Sequence, residues 1–196
     1  MLQTNQKERI ILGIDPGTAV MGYGLVKETG PKIELISMGV VKMDKIDDHM
    51  LKLQRIFEKT VALIDNYHPD CLAIEAPFYG KNIQVMLKLG RAQGVAMAAA
   101  LSRNVTITEY SPRKIKQAIT GNGNAAKEQV AAMLQNLLNF KETPEFLDAT
   151  DGLAVAVCHS FQKITTSKSG AKKSYSGWET FVKDNTGRVA GVGKKK

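Results

Sequence analysis

The segment R-I-I-L-G-I-D at residues 9–15, followed at once by P-G-T at 16–18, decides the fold. Its nearly continuous apolar run is typical of a strand that is buried on both faces. Pro16 fixes its own φ and Gly17 tolerates unusual backbone angles, so the chain is expected to turn sharply where the run ends. The segment therefore predicts a central strand that ends in a carboxylate, Asp15.

The other elements follow from the same rules. Short apolar runs bounded by turn residues predict strands over 20–27, 33–43, 71–76 and 105–110. Helical periodicity and cap residues predict helices over 48–67, 82–103 and 125–138, a short basic helix that opens at Ser111-Pro112, and a last helix that opens at Thr143-Pro144 and runs to about His159. This order predicts an α/β fold in which a mixed five-stranded sheet is flanked by helices.

The formal net charge of +8 is unevenly distributed. Residues 162–196 hold nine Lys/Arg and two acids, which leaves 18 bases and 17 acids in residues 1–161. The terminal stretch is rich in Ser, Gly and Lys and is predicted to be a basic, flexible tail, interrupted by Trp178. Within 76–127, eight bases accompany a single acid, Glu109. This basic segment indicates a nucleic-acid-binding side of the domain.

Several classes of protein are disfavoured by the sequence. No apolar run approaches the length of a membrane span, and residues 1–8 lack the apolar segment of a secretory signal. Cys71 and Cys158 form neither a disulfide framework nor a zinc-ligand spacing. The motifs of serine hydrolases, zinc proteases and P-loop nucleotide-binding proteins are absent from the sequence. A cytoplasmic protein that does not contact membranes is therefore expected.

Four acids occupy positions that the predicted fold can bring together. Asp15 and Glu75 each end a strand, whereas Asp148 and Asp151 lie three residues apart on one face of the last helix. Taken singly, each has an ordinary alternative as a turn residue, a surface residue or a residue that compensates the helix dipole. Together with the basic segment they suit phosphodiester hydrolysis, in which two divalent ions roughly 3.5–4 Å apart hold the attacking water and the leaving oxygen. Mg²⁺ prefers such oxygen ligands; His159 is instead interpreted as a packing or surface residue.

Five blocks of sequence resemble the signature motifs of the RuvC-type Holliday junction resolvases. They are G-I-D-P-G-T with G-Y-G (13–18 and 22–24), A-I-E-A-P-F (73–78), L-K-L-G-R-A-Q-G-V (87–95), G-N-G-N-A-A-K-E-Q-V (121–130) and D-A-T-D-G-L-A-V-A-V-C-H (148–159). The resemblance implies a ribonuclease H-like nuclease domain over residues 1–161, followed by the tail 162–196. It also implies a homodimer that resolves four-way DNA junctions by paired symmetric nicks, in recombination and DNA repair.

The resemblance also implies roles for particular residues. Asp15, Glu75, Asp148 and Asp151 would be the catalytic and metal-binding acids, with two Mg²⁺ per active site and Mn²⁺ able to substitute. The predicted DNA-binding residues are Phe78, Lys81, Lys88, Arg113, Lys116 and Lys127. The RuvA and RuvB branch-migration complex is the expected protein partner. The helix over 82–103 is the candidate dimer interface, because Gly90 and Gly94 would allow two helices to approach closely.

Three alternatives remain open at this point. The D-P-G-T that follows the first strand is also compatible with the ATPase superfamily of sugar kinases, actin and heat-shock proteins, although that superfamily needs a second domain and a second phosphate loop. A junction-binding protein without catalysis would keep the basic segment but would not need four converging acids. A related ribonuclease H-like nuclease could act on RNA, and a comparison of substrates would separate it from a DNA nuclease.

Overall fold

A mixed β-sheet organises the computed structural model, which describes residues 8–77, 82–140 and 147–166. Within these ranges the chain forms five strands and five helices. In chain order they are β1 (Glu8–Asp15), β2 (Val20–Thr29), β3 (Lys32–Lys42), α1 (His49–Tyr67), β4 (Cys71–Glu75), α2 (Ile83–Leu101), β5 (Thr106–Tyr110), α3 (Pro112–Thr120), α4 (Lys127–Leu138) and α5 (Leu147–Thr166). The predicted fold class is confirmed, and most predicted element ends differ by only one or two residues.

The strand order β3-β2-β1-β4-β5 places β1 at the centre of the sheet. β1, β2 and β3 are antiparallel neighbours, whereas β4 and β5 pair in parallel with β1 and with each other. In the register of β1 and β4, Ile14 lies opposite Ile74. The next residues, Asp15 and Glu75, therefore emerge side by side at the carboxyl edge of the sheet.

Helices cover both faces of the sheet, and each face buries its own apolar cluster. Large aliphatic residues such as Leu12, Ile14 and Leu72 pack under α1 and α2. On the opposite face, Ile11, Val26 and Ala73 pack under α3, α4 and α5. Because neighbouring residues of a strand point to opposite faces, the placement of Ile14 and Ile74 puts Asp15 and Glu75 on the α5 face.

Helix boundaries follow from cap chemistry. The Asp48 carboxylate accepts hydrogen bonds from the first turn of α1, with Met50 N at 2.6 Å, and His68 ends that helix in the left-handed conformation. Ser111 caps α3, which begins at Pro112 as the cap-then-proline order predicts. Within the described residues, no helix is long and apolar enough to cross a membrane.

Two expectations about the helices differ from the structure. α5 ends at Thr166 rather than near His159, because Phe161 still packs against the α5-face core. The all-apolar sequence beyond Gln93 predicts that the far half of α2 is buried all round, but it is buried on one side only: Ala96 and Ala99 are buried, whereas Leu101 is 62% exposed. The Thr143-Pro144 cap signature and the tail from residue 167 onward, with Trp178, lie outside the described residues.

Candidate active site

A cleft of about 180 Å³ lies at the carboxyl edge of the sheet. It is lined by side chains from strands β1 and β4 and from helices α3, α4 and α5: Asp15, Glu75, Pro112, Ile115, Lys116, Lys127, Val130, Asp151 and Ala154. The cleft thus contains three of the four predicted acids and two of the predicted DNA-binding lysines. The fourth acid, Asp148, lies one turn before Asp151 on α5. It does not line the cleft itself, but its carboxylate contacts Lys127, which does.

Glycines bring α5 down onto the sheet. Gly22 on β2 lies opposite Asp15, and a Cβ added there would be 1.8 Å from the Asp148 carbonyl oxygen. A Cβ added at Gly152 of α5 would be 2.5 Å from the backbone nitrogen of Tyr23. Helix backbone and strand backbone are therefore in direct contact. This contact holds Asp148 and Asp151 above the end of β1.

This role of glycine was not predicted from the sequence, in which the G-Y-G block served only as a family motif. Gly13 of β1 and Gly24 of β2 are paired across the strands and both face α5, where an added Cβ would meet Ala156 and Leu153, respectively. The close packing could have been predicted from two features of the sequence. Glycines occupy facing positions of two adjacent strands, and a further glycine lies on a later helix.

The electrostatics of the cleft are those of crowded carboxylates. Burial, as the largest cause, and the charge of Asp151 together raise the pKa of Asp15 to about 7, while the charge of Lys127 opposes the rise. Burial, followed by repulsion from Asp15 and Asp151, raises the pKa of Glu75 to about 8. Both acids are therefore more readily protonated than in water, first because they are buried and second because other carboxylates lie close to them.

Lys127 partly compensates the negative charge of the cleft. Its Nζ lies 2.5 Å from Asp151 Oδ2 and 3.5 Å from Asp148 Oδ1. Partial burial lowers the pKa of Lys127, but the hydrogen bond and the charge of Asp151 outweigh burial and leave that pKa raised. Lys127 is the first residue of α4, and Gln129 holds that helix start by accepting a hydrogen bond from Ala126 N at 2.9 Å.

The carboxylates are chemically suitable ligands for a divalent cation, but their side chains are not arranged around a common metal position. Within residues 8–77, 82–140 and 147–162, no group of three or more His, Cys, Asp or Glu side chains is arranged to hold a metal ion. The Lys127 ammonium instead lies between Asp148 and Asp151. The donors are all carboxylate oxygens, which suit Mg²⁺ or Mn²⁺, and a bound cation would relieve the repulsion between Asp15, Glu75 and Asp151.

The remaining predicted residues are spread more widely. Arg113 is exposed on α3 and packs beside the glycine loop at Gly123, whereas Lys88 is exposed on α2. Phe78 and Lys81 lie outside the described residues. His159 is buried, and its Nδ1 lies 2.8 Å from the Tyr110 hydroxyl oxygen, so the packing interpretation of this histidine agrees with its position.

This sheet order, with acids at the ends of two adjacent parallel strands and on a helix packed against them, is that of the ribonuclease H-like class of proteins. The family model described as "Crossover junction endodeoxyribonuclease RuvC" matches residues 11–159, and the chain belongs to that family. The protein of that name from Christiangramia forsetii is 61% identical over 184 residues, which cover 94% of each chain. The one from Bacteroides fragilis is 58% identical over 185 residues, which cover 93% of this chain and 97% of the relative.

Solved structures agree with this assignment. The structure described as "T. thermophilus RuvC in complex with Holliday junction substrate" superposes with a TM-score of 0.75 at 32% identity, covering 81% of this chain and 96% of that chain. The yeast mitochondrial Holliday junction resolvase Ydc2 superposes with a TM-score of 0.59 at 13% identity, covering 81% of this chain and 80% of that chain. The second likeness supports the fold alone.

Proposed function

We propose that this protein is a Holliday junction resolvase that hydrolyses phosphodiester bonds with divalent metal ions. The observation that carries the proposal is the cleft itself, where acids from β1, β4 and α5 meet two lysines in a chain of the RuvC family. The Thermus thermophilus relative has been solved with a Holliday junction substrate, which favours the same substrate here. A role in recombination and DNA repair follows from such an activity.

The acids would hold the metal ions. Two Mg²⁺ ions, or Mn²⁺ in their place, would supply an activated water and a Lewis acid for the leaving oxygen. Asp15 and Glu75 are the proposed central ligands because both face the cleft and both are repelled by other carboxylates. Asp151 and Asp148 complete the set from α5, and each would exchange its contact with the Lys127 ammonium for the metal.

The lysines would then bind DNA. Lys127, once released from the two aspartates, and Lys116, which lines the same cleft, can reach a phosphate beside the metal ions. Arg113 and Lys88 are exposed and would contact phosphates farther from the cut. Phe78 and Lys81 keep their predicted roles as a stacking residue and a phosphate contact. Each phosphate contact releases counterions, so junction binding should weaken with salt.

Two copies of the chain would act together through α2. This helix carries a continuous exposed stripe at heptad-like spacing, comprising Ile83, Leu87, Gly90, Gly94, Ala98 and Leu101. Ile83 is 70% exposed and Leu87 is 52% exposed, whereas an added Cβ at Gly90 or Gly94 would meet nothing within 4 Å. Pairing of two such stripes buries apolar surface and relates two active sites by a two-fold axis, as paired symmetric nicks require.

The dimer has a direct test. Leu87→Glu places a charge at the centre of the stripe, so light scattering should show a monomer where the wild-type protein is a dimer. The variant should remain folded, because Leu87 is half-exposed in the single chain. Lys88→Glu, one residue away and outside the stripe, is the matched control and should remain dimeric. A dimeric Leu87→Glu variant would rule out this interface.

Cleavage assays test the proposed function. A labelled four-way junction and a linear duplex of the same sequence would be incubated with Mg²⁺, with Mn²⁺ and with EDTA. Paired, ligatable nicks in the junction alone that disappear in EDTA are the expected result. Junction binding without nicks under any divalent ion would favour a non-catalytic binding module, and preferential cutting of an RNA hybrid would favour the ribonuclease alternative.

The proposed enzyme also has an expected cellular location, domain division and protein partner. We expect it to act in the cytoplasm, with a nuclease domain over residues 1–161 and a basic tail over 162–196. The RuvA and RuvB branch-migration complex is the proposed partner, because a resolvase needs a junction that has been brought to a cleavable position.

A further inference from the structure

A buried glutamine on α2 contacts the backbone of a proposed catalytic residue. Gln93 is 7% exposed, although the positions around it on the buried face of α2 are alanines. Its Nε2 donates to the Glu75 carbonyl oxygen at 3.3 Å and to Glu109 Oε2 at 2.8 Å. A buried amide is costly unless it is hydrogen-bonded, so its place among alanines calls for a specific reason.

The register of the sheet supplies that reason. Ala76 N donates to Tyr110 O of β5, so the polar backbone groups of the preceding residue, Glu75, point the other way, toward β1. In a parallel pair, the carbonyl of a residue accepts from the N–H one position beyond its partner. The register Ile14↔Ile74 makes Asp15 the partner of Glu75, and the next residue is Pro16. Proline has no N–H to donate.

We propose that Gln93 is a positioning residue for Glu75: its side-chain amide replaces the backbone donor that Pro16 lacks. The second N–H of the same amide is bound by Glu109 on β5, so the amide is fixed in direction as well as in place. The backbone of Glu75 is thereby held at the strand end, where its carboxylate faces Asp15 and Asp151. This inference rests on the proposed function, in which Glu75 is a metal ligand.

The same contact links two proposed parts of the enzyme. Gln93 lies on the buried side of α2, whereas Gly90 and Gly94 lie on its exposed stripe. The helix that would form the dimer is thus hydrogen-bonded to the strand end that would hold the metal. A small displacement of α2 would be passed directly to the Glu75 backbone.

Three variants of the full-length protein test the proposal. Gln93→Met keeps the length of the side chain but removes both donors. Glu109→Gln keeps an acceptor for Gln93 and leaves its bond to Glu75 intact, so it is the matched control. The double variant Gln93→Glu with Glu109→Gln restores an amide–carboxylate contact between α2 and β5, but provides no donor for the Glu75 carbonyl.

The readouts are the thermal midpoint, the dimer mass, the junction Kd and the single-turnover cleavage rate at saturating junction and metal. Gln93→Met should cut about 10- to 100-fold more slowly with an unchanged Kd, because displacement by about 1 Å at a reacting centre can cost a factor of about 100. Glu109→Gln should cut at the wild-type rate. The double variant should regain thermal stability relative to Gln93→Met but remain slow.

A purely structural role predicts a different pattern. In that case the double variant would recover the cleavage rate together with the thermal midpoint, and this result would overturn the proposal. A wild-type rate for folded, dimeric Gln93→Met would overturn it as well, as would a rate for Glu109→Gln as low as that of Gln93→Met. Failure of the wild-type protein to cut junctions would instead refute the proposed function, so the two failures are distinguishable.

Discussion

The two faces of the sheet are built in contrasting ways. On the face covered by α1 and α2, large side chains such as Leu12 and Leu72 fill the space between helix and strand. At the active-site end of the other face, Gly22 and Gly152 remove the side chains and leave helix and strand backbones in contact. The first arrangement buries apolar surface and stabilises the fold. The second holds acids from different elements over one cleft, where their repulsion opposes folding.

The largest effect is expected from filling the glycine contact. Gly152→Ala would place a Cβ 2.5 Å from Tyr23 N, so α5 must move away from the sheet and carry Asp148 and Asp151 with it. Cleavage should fall by about 100-fold or more, because the proposed ligands are displaced from Asp15 and Glu75. Single-turnover cleavage of a labelled junction measures the loss. A wild-type rate would show that the close contact is not required.

A truncation on the opposite face is the control for this prediction. Leu72→Ala removes a fully buried side chain and should lower the free energy of unfolding by about 2–5 kcal/mol in denaturant titrations. At a temperature where the variant is folded, its cleavage rate should stay near the wild-type value. A large rate loss in this variant would mean that the two faces are not functionally separate.

The pH dependence of the free energy of unfolding tests whether the acids on the active-site face destabilise the fold. The pKa values of Asp15 and Glu75 are raised to about 7 and about 8, so between pH 4 and pH 8 the native state holds protons that the unfolded state has released. In EDTA the free energy of unfolding should therefore be highest near pH 4 and fall as the pH rises to about 8. Mg²⁺ should oppose this fall, because binding to the deprotonated acids stabilises the native state.

Unfolding titrations across this pH range, with and without Mg²⁺, measure the effect. Asp15→Asn removes one of the repelling charges and should reduce the fall in EDTA. A wild-type stability that rises between pH 4 and pH 8 in EDTA, or that shows no response to Mg²⁺, would contradict the description of the cleft as a site of buried, mutually repelling acids.

The smallest effect is expected at the rim of the cleft. Lys116→Ala should weaken junction binding and reduce the slope of log K against log salt by about 0.9, the value for one lost phosphate contact. Lys114→Ala is the matched control on the same helix, since its ammonium lies over the Tyr110 ring, 5.1 Å from the ring centroid, and Lys114 does not line the cleft. Equal slopes for the two variants would remove Lys116 from the proposed phosphate contacts.

The sequence predicted those parts of the molecule that depend on local pattern. Strand β1 is a run of apolar residues closed by Pro16, and α3 begins at a serine followed by proline, so both could be placed from propensity and cap chemistry alone. The parallel pairing of β1 and β4 then explains why the acids at their ends are neighbours. Asp148 and Asp151 were grouped with them from their three-residue spacing on one helix face, and the resemblance to a known family gave the four acids a metal-binding role.

Features that depend on pairwise distance in three dimensions were not predicted. Helix 82–103 was proposed as the dimer interface, but its exposed side was not predicted in full, because an all-apolar helix segment does not reveal which side the sheet covers. The contact between Lys127 and Asp151 joins residues 24 positions apart, and no periodicity relates them. Gln93 could not be singled out either, since its role depends on the strand register that sets Pro16 opposite the Glu75 carbonyl.

The most direct test of the account compares the wild-type protein with Asp15→Asn on the same labelled four-way junction. Both proteins would be assayed for junction affinity and for cleavage in Mg²⁺. We predict that the variant binds the junction as tightly as the wild-type protein but makes no nicks, because the carboxylate at the end of β1 is a proposed metal ligand. Cleavage by Asp15→Asn at the wild-type rate would contradict the assignment of this cleft as the active site.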